Sequence, residues 1–148
     1  MDRALTVEVF DHDDPARQEY LSSLGEQLVR YHRFAGCDYR ELHAIIRDGP
    51  IRLLGGLLGA THSGWLSVEF VWVAETLRKA GYGSRLLAAA EQEAVARGCT
   101  KAHLEATGRE VVTFFLNRGY NVCGELTDYL PGQSRYWLRK ELSASASS

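Results

Sequence analysis

The nine residues Trp65–Val73 (WLSVEFVWV) constrain the fold of this chain more than any other segment. They are rich in β-branched and aromatic residues, and they are apolar on both faces of an extended strand. This pattern is typical of a central strand, which has neighbours on both sides and cover on both faces. The rest of the chain is therefore expected to supply further strands and the helices that pack on them.

Strand-like and helix-like patterns alternate along the remaining sequence. Alternating or β-branched runs predict further strands at Leu5–Phe10, Arg40–Arg47, Ile51–Ala60, Lys101–Ala106, Tyr120–Leu126 and Tyr136–Leu142. Apolar residues spaced by three and four predict helices after the acidic cap at Asp13-Asp14-Pro15, at Ser84–Arg97 and at Arg109–Arg118. Gly25 predicts a break of the first helix into two, and Gly55-Gly56 predicts a bulge or close packing. The order of elements predicts an α/β fold, in which a mixed sheet carries helices on its faces.

Length and composition fit one compact domain. The chain has 148 residues, of which 45% are hydrophobic and 24% are charged. A chain of this size buries about 68–70% of its unfolded surface, and the apolar content is too high for a disordered chain. We expect a single domain over residues 1–142, followed by a disordered tail at 143–148 (SASASS).

Charge and cysteine content argue against several classes of protein. Lys and Arg number 17 and Asp and Glu number 19, and the formal net charge of −2 argues against a dedicated nucleic-acid binder. No apolar run approaches the ~20 residues of a membrane span, and the acidic N-terminus is unlike a signal peptide. Cys37, Cys99 and Cys123 show neither metal-ligand nor disulfide spacing. We therefore expect a cytoplasmic protein with no metal, no nucleic-acid partner and no membrane partner.

The junction between the central strand and the next helix is the most informative part of the sequence. It reads RKAGYGS, with the residues Arg78, Lys79, Ala80, Gly81, Tyr82, Gly83 and Ser84. Glycines let backbone N–H groups approach a ligand closely, and a helix N-terminus adds unpaired N–H donors and partial positive charge. Together these features favour a phosphate or pyrophosphate. The alternative is an ordinary strand-to-helix turn, and neither a dinucleotide GxGxxG nor a Walker loop is present.

The residues around this junction resemble a known family. The run Glu69–Glu105, with RKAGYG as an R-x-x-G-x-G core, resembles the acyl-CoA-binding signature of the GNAT superfamily of N-acyltransferases. The later segment FFLNRGYNVCGEL resembles the family's following motif. The final stretch GELTDYLPGQSRYWLRKEL is similar to the closing hairpin of small single-domain members. The resemblance extends from Ile51 to Leu142.

The resemblance implies the GNAT fold, a central mixed β-sheet flanked by helices, and the activity of an N-acetyltransferase of EC type 2.3.1. Acetyl-CoA is then the acyl donor. The acceptor is a primary amine of a small molecule or peptide, which attacks the thioester directly in a ternary complex. The resemblance does not choose the acceptor, and it allows a homodimer. The alternative is a non-catalytic acyl-CoA-binding or regulatory module on the same fold, which binds coenzyme A but releases no thiol.

The family's contacts with the acyl donor carry over by position. The resemblance implies that amides of the Arg78–Ser84 loop bind the pyrophosphate of coenzyme A. It also implies that the central strand separates from the next parallel strand and offers backbone groups of Trp72 and Val73 to the pantetheine arm. The Val73 amide is then expected to polarise the thioester carbonyl, which is an oxyanion contact.

Glu69 is the candidate general base. It lies among apolar residues in the central strand, where burial without a partner would raise its pKa toward neutrality. Strand alternation predicts that it shares a face with Val71 and Val73. Many members of the family have an acidic residue here, which accepts the proton of the amine directly or through water. The alternative is a structural carboxylate that pairs with an arginine or a backbone amide.

The chain departs from the family pattern where relatives place a proton donor. The family's Phe-Tyr pair corresponds to Phe114-Phe115, so the hydroxyl is missing, and an asparagine common earlier in the motif corresponds to Gly108. Either the thiolate, with a parent pKa of ~8.5, leaves without an acid, or Tyr129, Tyr136 or Tyr120 supplies the proton from the hairpin. Tyr129 is the preferred tyrosine because it precedes the Pro131-Gly132 turn, and the alternative for it is a packing role.

His103 and Glu105 share one face of their predicted strand and are a second candidate pair for proton transfer. The commoner case for such a histidine is a core residue with satisfied hydrogen bonds. Cys123 follows the second motif, where a buried neutral thiol is expected rather than a nucleophile.

Overall fold

The computed structural model describes residues 4–34 and 38–143. These residues form two compact units, one within Met1–Cys37 and one within Asp38–Ser148. Cys37 and residues 144–148, which are most of the predicted tail, lie outside the described residues. Within the described ranges, no helix is both long enough and apolar enough to cross a membrane.

The first unit contains the helix α1 (Arg17–Phe34). The predicted acidic cap is confirmed, because the Asp14 side chain accepts a hydrogen bond from the Ala16 N–H at 2.8 Å. The predicted break at Gly25 is wrong, since α1 runs through this residue without interruption. One interior glycine costs only about 1 kcal/mol relative to alanine, and the helix-forming residues around it offset that cost.

The predicted first strand, Leu5–Phe10, is wrong. Residues 4–11 have no regular secondary structure, and Leu5, Val7 and Val9 are almost fully exposed. An alternating pattern is not sufficient for a strand, because the backbone also needs a neighbouring strand for its hydrogen bonds. No strand of the described residues pairs with this segment.

The second unit is built on a six-stranded mixed sheet with the order β1-β2-β3-β4-β6-β5. The strands are β1 (Arg40–Asp48), β2 (Arg52–His62), β3 (Trp65–Val73), β4 (Lys101–Thr107), β5 (Asn121–Leu130) and β6 (Gln133–Glu141). β3 and β4 run parallel, whereas every other neighbouring pair is antiparallel. The helices are α2 (Tyr82–Ala96), α3 (Arg109–Leu116) and a short 3-10 helix at Glu75–Leu77, which the sequence did not indicate.

The predicted elements of this unit are present, with some shifted ends. β3 has the predicted bounds, and α2 begins at Tyr82 rather than at Ser84. β5 extends to Leu130, so Tyr129 belongs to a strand and not to the loop in which it was expected. Close packing at Gly55 is confirmed, because a Cβ there would lie 3.0 Å from the Trp72 carbonyl oxygen and 3.1 Å from the Ile46 side chain.

The two helices of this unit share one hydrophobic core on one face of the sheet. α2 contributes Leu86, Leu87, Ala90 and Ala94, α3 contributes Val112 and Phe115, and the sheet contributes Leu42, Leu57, Leu66, Val68, Ala102, Leu104, Ala106 and Leu138. Because side chains alternate along a strand, the neighbours of these residues lie on the opposite face. Trp65, Ser67, His103 and Glu105 therefore occupy the face that this unit's helices leave uncovered.

Candidate active site

β3 and β4 separate partway along their length. They pair from Trp65 opposite Lys101 as far as Val68 opposite Leu104, and no pairing between them continues beyond that point. The remainder of β3 stays bonded to β2, with Val73 opposite Gly55, and the remainder of β4 stays bonded to β6, with Thr107 opposite Arg135. The two parallel strands thus leave an opening at their carboxyl ends, where backbone groups that face it have no strand partner.

A β-bulge places Glu69 where the strands part. In the pairing of β2 with β3, Gly59 lies opposite Val68 and Leu58 lies opposite Phe70, so Glu69 is the extra residue. A bulge re-aims the side chains around it, because it shifts the alternation of the strand by one residue. Val71 and Val73 pack against the core, whereas Glu69 is exposed and lines a cleft together with Ser67 on the opposite face.

Two expectations for Glu69 are therefore wrong. The residue does not share a face with Val71 and Val73, because simple alternation does not count the bulge. It is also exposed rather than buried. Glu69 has no hydrogen bond or ion pair among the described residues, which leaves its carboxylate free to meet a ligand.

Gly59 allows this bulge to form, and Gly59→Ala tests it. A Cβ at Gly59 would overlap the Ser67 carbonyl oxygen of β3, so the two strands would have to shift. We expect the variant to lose about 1–3 kcal/mol of unfolding free energy and to lose activity through displacement of Glu69. Urea unfolding measures the first effect. Gly25→Ala is the control, since a Cβ there meets nothing within 4 Å, and an equal result for the two variants would contradict the packing argument.

The backbone of Val73 faces the opening. The Ala74 N–H donates to the Leu54 carbonyl oxygen of β2 at 2.7 Å. Because backbone groups of successive residues point to opposite sides of a strand, the Val73 N–H and carbonyl point away from β2. The Val73 carbonyl oxygen accepts a hydrogen bond from Arg78 Nε at 3.1 Å, which folds the Arg78 side chain back toward the end of β3.

The loop between β3 and α2 presents unpaired N–H groups. Lys79 and Gly81 both have positive φ angles, of 63° and 84°, which turn the chain sharply before the helix. Gly81 is the N-cap of α2 and offers no side chain to its first turn, which contains no acidic residue. The N–H groups of Tyr82, Gly83 and Ser84 have no hydrogen-bond partner in the described part of the chain. Such an uncapped, uncompensated helix start is suited to an anion.

Gly83 and Ser84 also serve the packing of α3 on α2. A Cβ at Gly83 would lie 3.4 Å from the ring of Phe114, so this position is in van der Waals contact with α3. Arg118 Nε donates to the Ser84 hydroxyl at 3.0 Å, and the guanidinium lies 3.9 Å from the centre of the Phe114 ring. Gly83 and Ser84 are therefore used in the packing of α3, while their backbone N–H groups remain unpaired in the described part of the chain.

A cleft of about 240 Å³ adjoins Glu69 on the face of the sheet opposite α2 and α3. Its other polar lining residues include Ser67, His103, Glu105 and Arg135. Glu105 accepts hydrogen bonds from Arg135 Nε at 2.7 Å and from Trp137 Nε1 at 3.1 Å. These bonds, that of Arg135 above all, lower the pKa of the Glu105 carboxyl. Glu105 is therefore a paired anion. Glu69, whose carboxylate has no partner among the described residues, is the better candidate for a proton acceptor.

Arg135 was not predicted from the sequence, whereas Trp137 was expected to be a core or pocket-wall residue. Both stand on β6 at positions that alternate with the core residue Leu138, and the only signal for them is that alternation. Tyr129 does not line the cleft next to Glu69. It reaches the cleft through Arg135, whose guanidinium lies 4.8 Å from the centre of the Tyr129 ring.

The structure shows the surroundings of three further residues that the sequence singled out. His103 is half-buried on the face of the sheet opposite α2 and α3 and packs edge-to-face on Trp65 at 5.4 Å, so it is not a core histidine. Burial, and to a smaller extent His62, lowers the pKa of His103. Phe115 is only 6% exposed and packs on Tyr120, which makes it a core residue at the position of the family's tyrosine. Cys123 is exposed, so the expected buried thiol is wrong.

Solved structures share this architecture. A crystal structure of a protein assigned as an acetyltransferase from Agrobacterium tumefaciens is 34% identical, with a TM-score of 0.78 over 95% of this chain and 99% of that chain. The crystal structure of an acetyltransferase from Bacillus cereus has a TM-score of 0.71 over 91% of this chain and 98% of that chain, and at 24% identity it supports the fold alone. The fold is that of the GNAT acyltransferases, as predicted.

Sequence comparison gives the family. The profile of the Acetyltransferase (GNAT) family matches residues 7–120. An acetyltransferase from Agrobacterium fabrum is 36% identical over 129 residues, which are 86% of this chain and 94% of that protein. The blasticidin-S acetyltransferase of Streptomyces morookaense is 38% identical over 91 residues, which are 61% of this chain and 67% of that protein. This chain belongs to the GNAT family of acetyltransferases, and it is an acyltransferase of EC type 2.3.1.

Proposed function

We propose that this enzyme transfers an acetyl group from acetyl-CoA to a primary amine of a small molecule or peptide. The observation that carries the proposal is the opening between β3 and β4, because Glu69 lies where it begins and the loop with the unpaired N–H groups follows the end of β3. A thioester carrier held on one side can thus meet an amine on the other. A relative named for blasticidin S supports a small-molecule acceptor.

The residues of the loop fit the diphosphate of the donor. The N–H groups of Tyr82, Gly83 and Ser84 are unpaired, and the exposed side chains of Arg78 and Lys79 add positive charge beside them. Charge-assisted hydrogen bonds of this kind contribute about 1.5–3 kcal/mol each. Ala80 and Gly81 leave the approach to these groups clear, because they add no bulky side chain.

The end of β3 fits the acyl arm of the donor. Trp72 and Val73 lie on the part of β3 that has no partner on the β4 side, so the backbone groups there that face the opening are available to the pantetheine amides. The Val73 N–H faces the opening, and we assign to it the hydrogen bond that stabilises the developing charge on the thioester oxygen.

Glu69 acts as the general base in this proposal. An amine is mostly protonated at neutral pH and has no free lone pair, so a carboxylate must accept a proton directly or through one water. The amine then attacks the thioester within the ternary complex, where binding of both reactants supplies much of the rate. No acid stands at Phe115, and a thiolate with a parent pKa of ~8.5 is a tolerable leaving group. Tyr129 is the preferred candidate for its proton, because Arg135 links it to the cleft.

The test is transfer with a panel of primary amines. The protein is incubated with acetyl-CoA and each amine, free thiol is followed with a disulfide reagent, and the acetylated product is identified by mass spectrometry. We expect thiol release that depends on both the protein and the amine. Acetyl-CoA that binds tightly but gives no thiol with any amine would contradict transfer and favour a binding module.

A further inference from the structure

A second cavity adjoins the cleft of Glu69 on the same face of the sheet. It has a volume of about 340 Å³ and is lined by His62, Trp65, His103, Cys123 and Arg139. His103 also lines the cleft of Glu69, so its side chain stands between the two spaces. A ligand long enough to span His103 would contact both.

The second cavity carries positive charge around an aromatic side chain. The Arg139 guanidinium lies 5.1 Å from the centre of the Trp65 ring, and Lys101 Nζ lies 5.2 Å from the same ring. Arg139 Nη2 donates to Glu141 at 2.9 Å, and this exposed pair occupies only part of the guanidinium. Lys101 has no ion pair among the described residues. We call Trp65, Lys101 and Arg139 the anion pocket.

The cleft of Glu69 has the opposite charge. Arg135 neutralises Glu105, so the unpaired charge of that cleft is the carboxylate of Glu69. The site as a whole therefore presents a negative end at Glu69 and a positive end at Arg139. A ligand with an ammonium group and a carboxylate, in the matching order, satisfies both ends, whereas a simple amine satisfies only one.

The sheet fixes the separation of the two ends. Ser67 lies opposite His103 in the pairing of β3 with β4, and His103 lies opposite Arg139 in the pairing of β4 with β6. Neighbouring strands are about 4.8 Å apart and residues rise about 3.3 Å along a strand, which places the Cα atoms of Glu69 and Arg139 about 12 Å apart. The matching ligand carries its two charges several bonds apart, as in a short peptide with a free amine and a free carboxylate.

We infer that the acceptor is an amine that also carries a carboxylate, and that the anion pocket binds this carboxylate while Glu69 receives the ammonium group. The inference rests on the proposed function for the role of Glu69. A guanidinium is the side chain best suited to the carboxylate, because its planar N–H groups can donate two parallel hydrogen bonds.

The experiment compares short glycine peptides, of one to four residues, with their C-terminal amides. Amine basicity is nearly matched within the longer pairs, so the carboxylate is the main difference. Binding to the protein saturated with coenzyme A is measured by calorimetry. We expect at least one acid to bind about tenfold more tightly than its amide, which corresponds to about 1.4 kcal/mol. Equal affinity of acid and amide at every length, or no binding of any acid, would overturn the inference.

Variants locate the preference on the anion pocket. Arg139→Gln should remove the preference for the acid, Arg139→Lys should retain part of it, and Glu141→Gln should keep or increase it because a competing carboxylate is lost. Arg52→Gln is the matched control, since Arg52 is an exposed arginine of β2 with only a loose ion pair to Asp48. A preference that survives in Arg139→Gln would overturn the inference. If that variant does not fold, loss of the preference for the acid in Glu141→Gln would overturn the inference.

Thiol release separates this inference from the proposed function. If acids and amides bind equally but both are acetylated, the anion pocket fails and the acetyl transfer stands. If acids bind more tightly but no thiol is released from acetyl-CoA, the anion pocket stands and the transfer to amines fails.

Discussion

Glu69→Gln is expected to lower kcat at least a hundredfold, because loss of a general base removes about 10²–10⁴ of rate. Glutamine has nearly the same size and cannot accept the proton that the amine must lose in order to attack the thioester. The variant should fold normally, since the Glu69 side chain is exposed and makes no hydrogen bond or ion pair among the described residues. Stabilisation by acetyl-CoA should therefore be unchanged while turnover falls. Steady-state thiol release and thermal unfolding measure the two effects.

Glu75→Gln is the matched control for this variant. Glu75 is an exposed glutamate just beyond β3, in the 3-10 helix, and its side chain makes no hydrogen bond or ion pair among the described residues. It should retain the turnover of the unmodified enzyme. A Glu69→Gln enzyme whose turnover equals that of the unmodified enzyme from about pH 6 to pH 9 would remove Glu69 from the mechanism.

Ala80→Asp is expected to abolish the binding of acetyl-CoA. For the unmodified enzyme, the donor at about 100 times its Kd adds about 2.7 kcal/mol of stability, which for a chain of this size raises Tm by roughly 5–10 °C. Ala80 is exposed in the loop before α2, so a side chain is accommodated there. An aspartate would place a negative charge beside the N–H groups that we assign to the diphosphate. Thermal unfolding with and without acetyl-CoA measures the loss.

Ala80→Asn controls for size, because it has the shape of aspartate without the charge. It should retain most of the Tm increase. Gly83→Asp is a poorer test, since a Cβ there would already contact the Phe114 ring at 3.4 Å, so the larger side chain would act on the contact with α3 as well as on the donor. An unmodified protein whose Tm does not respond to millimolar acetyl-CoA would contradict the role assigned to this loop.

The sequence predicted the elements of the sheet better than the direction of its side chains. β3 was predicted with its observed bounds because a short run that is apolar on both faces fits a central strand better than a surface element. The apolar stripe of α2 was also predicted correctly, and it consists of Leu86, Leu87, Ala90 and Ala94. The prediction of a strand at Leu5–Phe10 was wrong because the pattern within a segment does not show whether a neighbouring strand pairs with it. Glu69 was found by residue type and resemblance, yet its face was misjudged. A bulge depends on Gly59 and Ser67 together, which lie on different strands.

The polar residues that line the cleft could not be predicted from the sequence for a related reason. Glu105, Arg135 and Trp137 meet only because β4 and β6 are neighbours with one particular register. Local patterns predict both strands but not which residues face each other across them. The loop before α2 was accessible from the sequence because all of its groups are contiguous, and the anion pocket was not because Trp65, Lys101 and Arg139 come from three strands.

The bulge makes Glu69 a residue that the chain could lose by a single-codon deletion during evolution. Deletion of Glu69 would place Val68 next to Phe70 and restore strict in-and-out alternation along β3, with the hydrophobic interior unaltered. The carboxylate proposed to drive the chemistry is thus an insertion that the architecture does not require. Loss of one codon would be enough to leave a well-folded descendant that still holds its thioester carrier but has no means of deprotonating an incoming nucleophile.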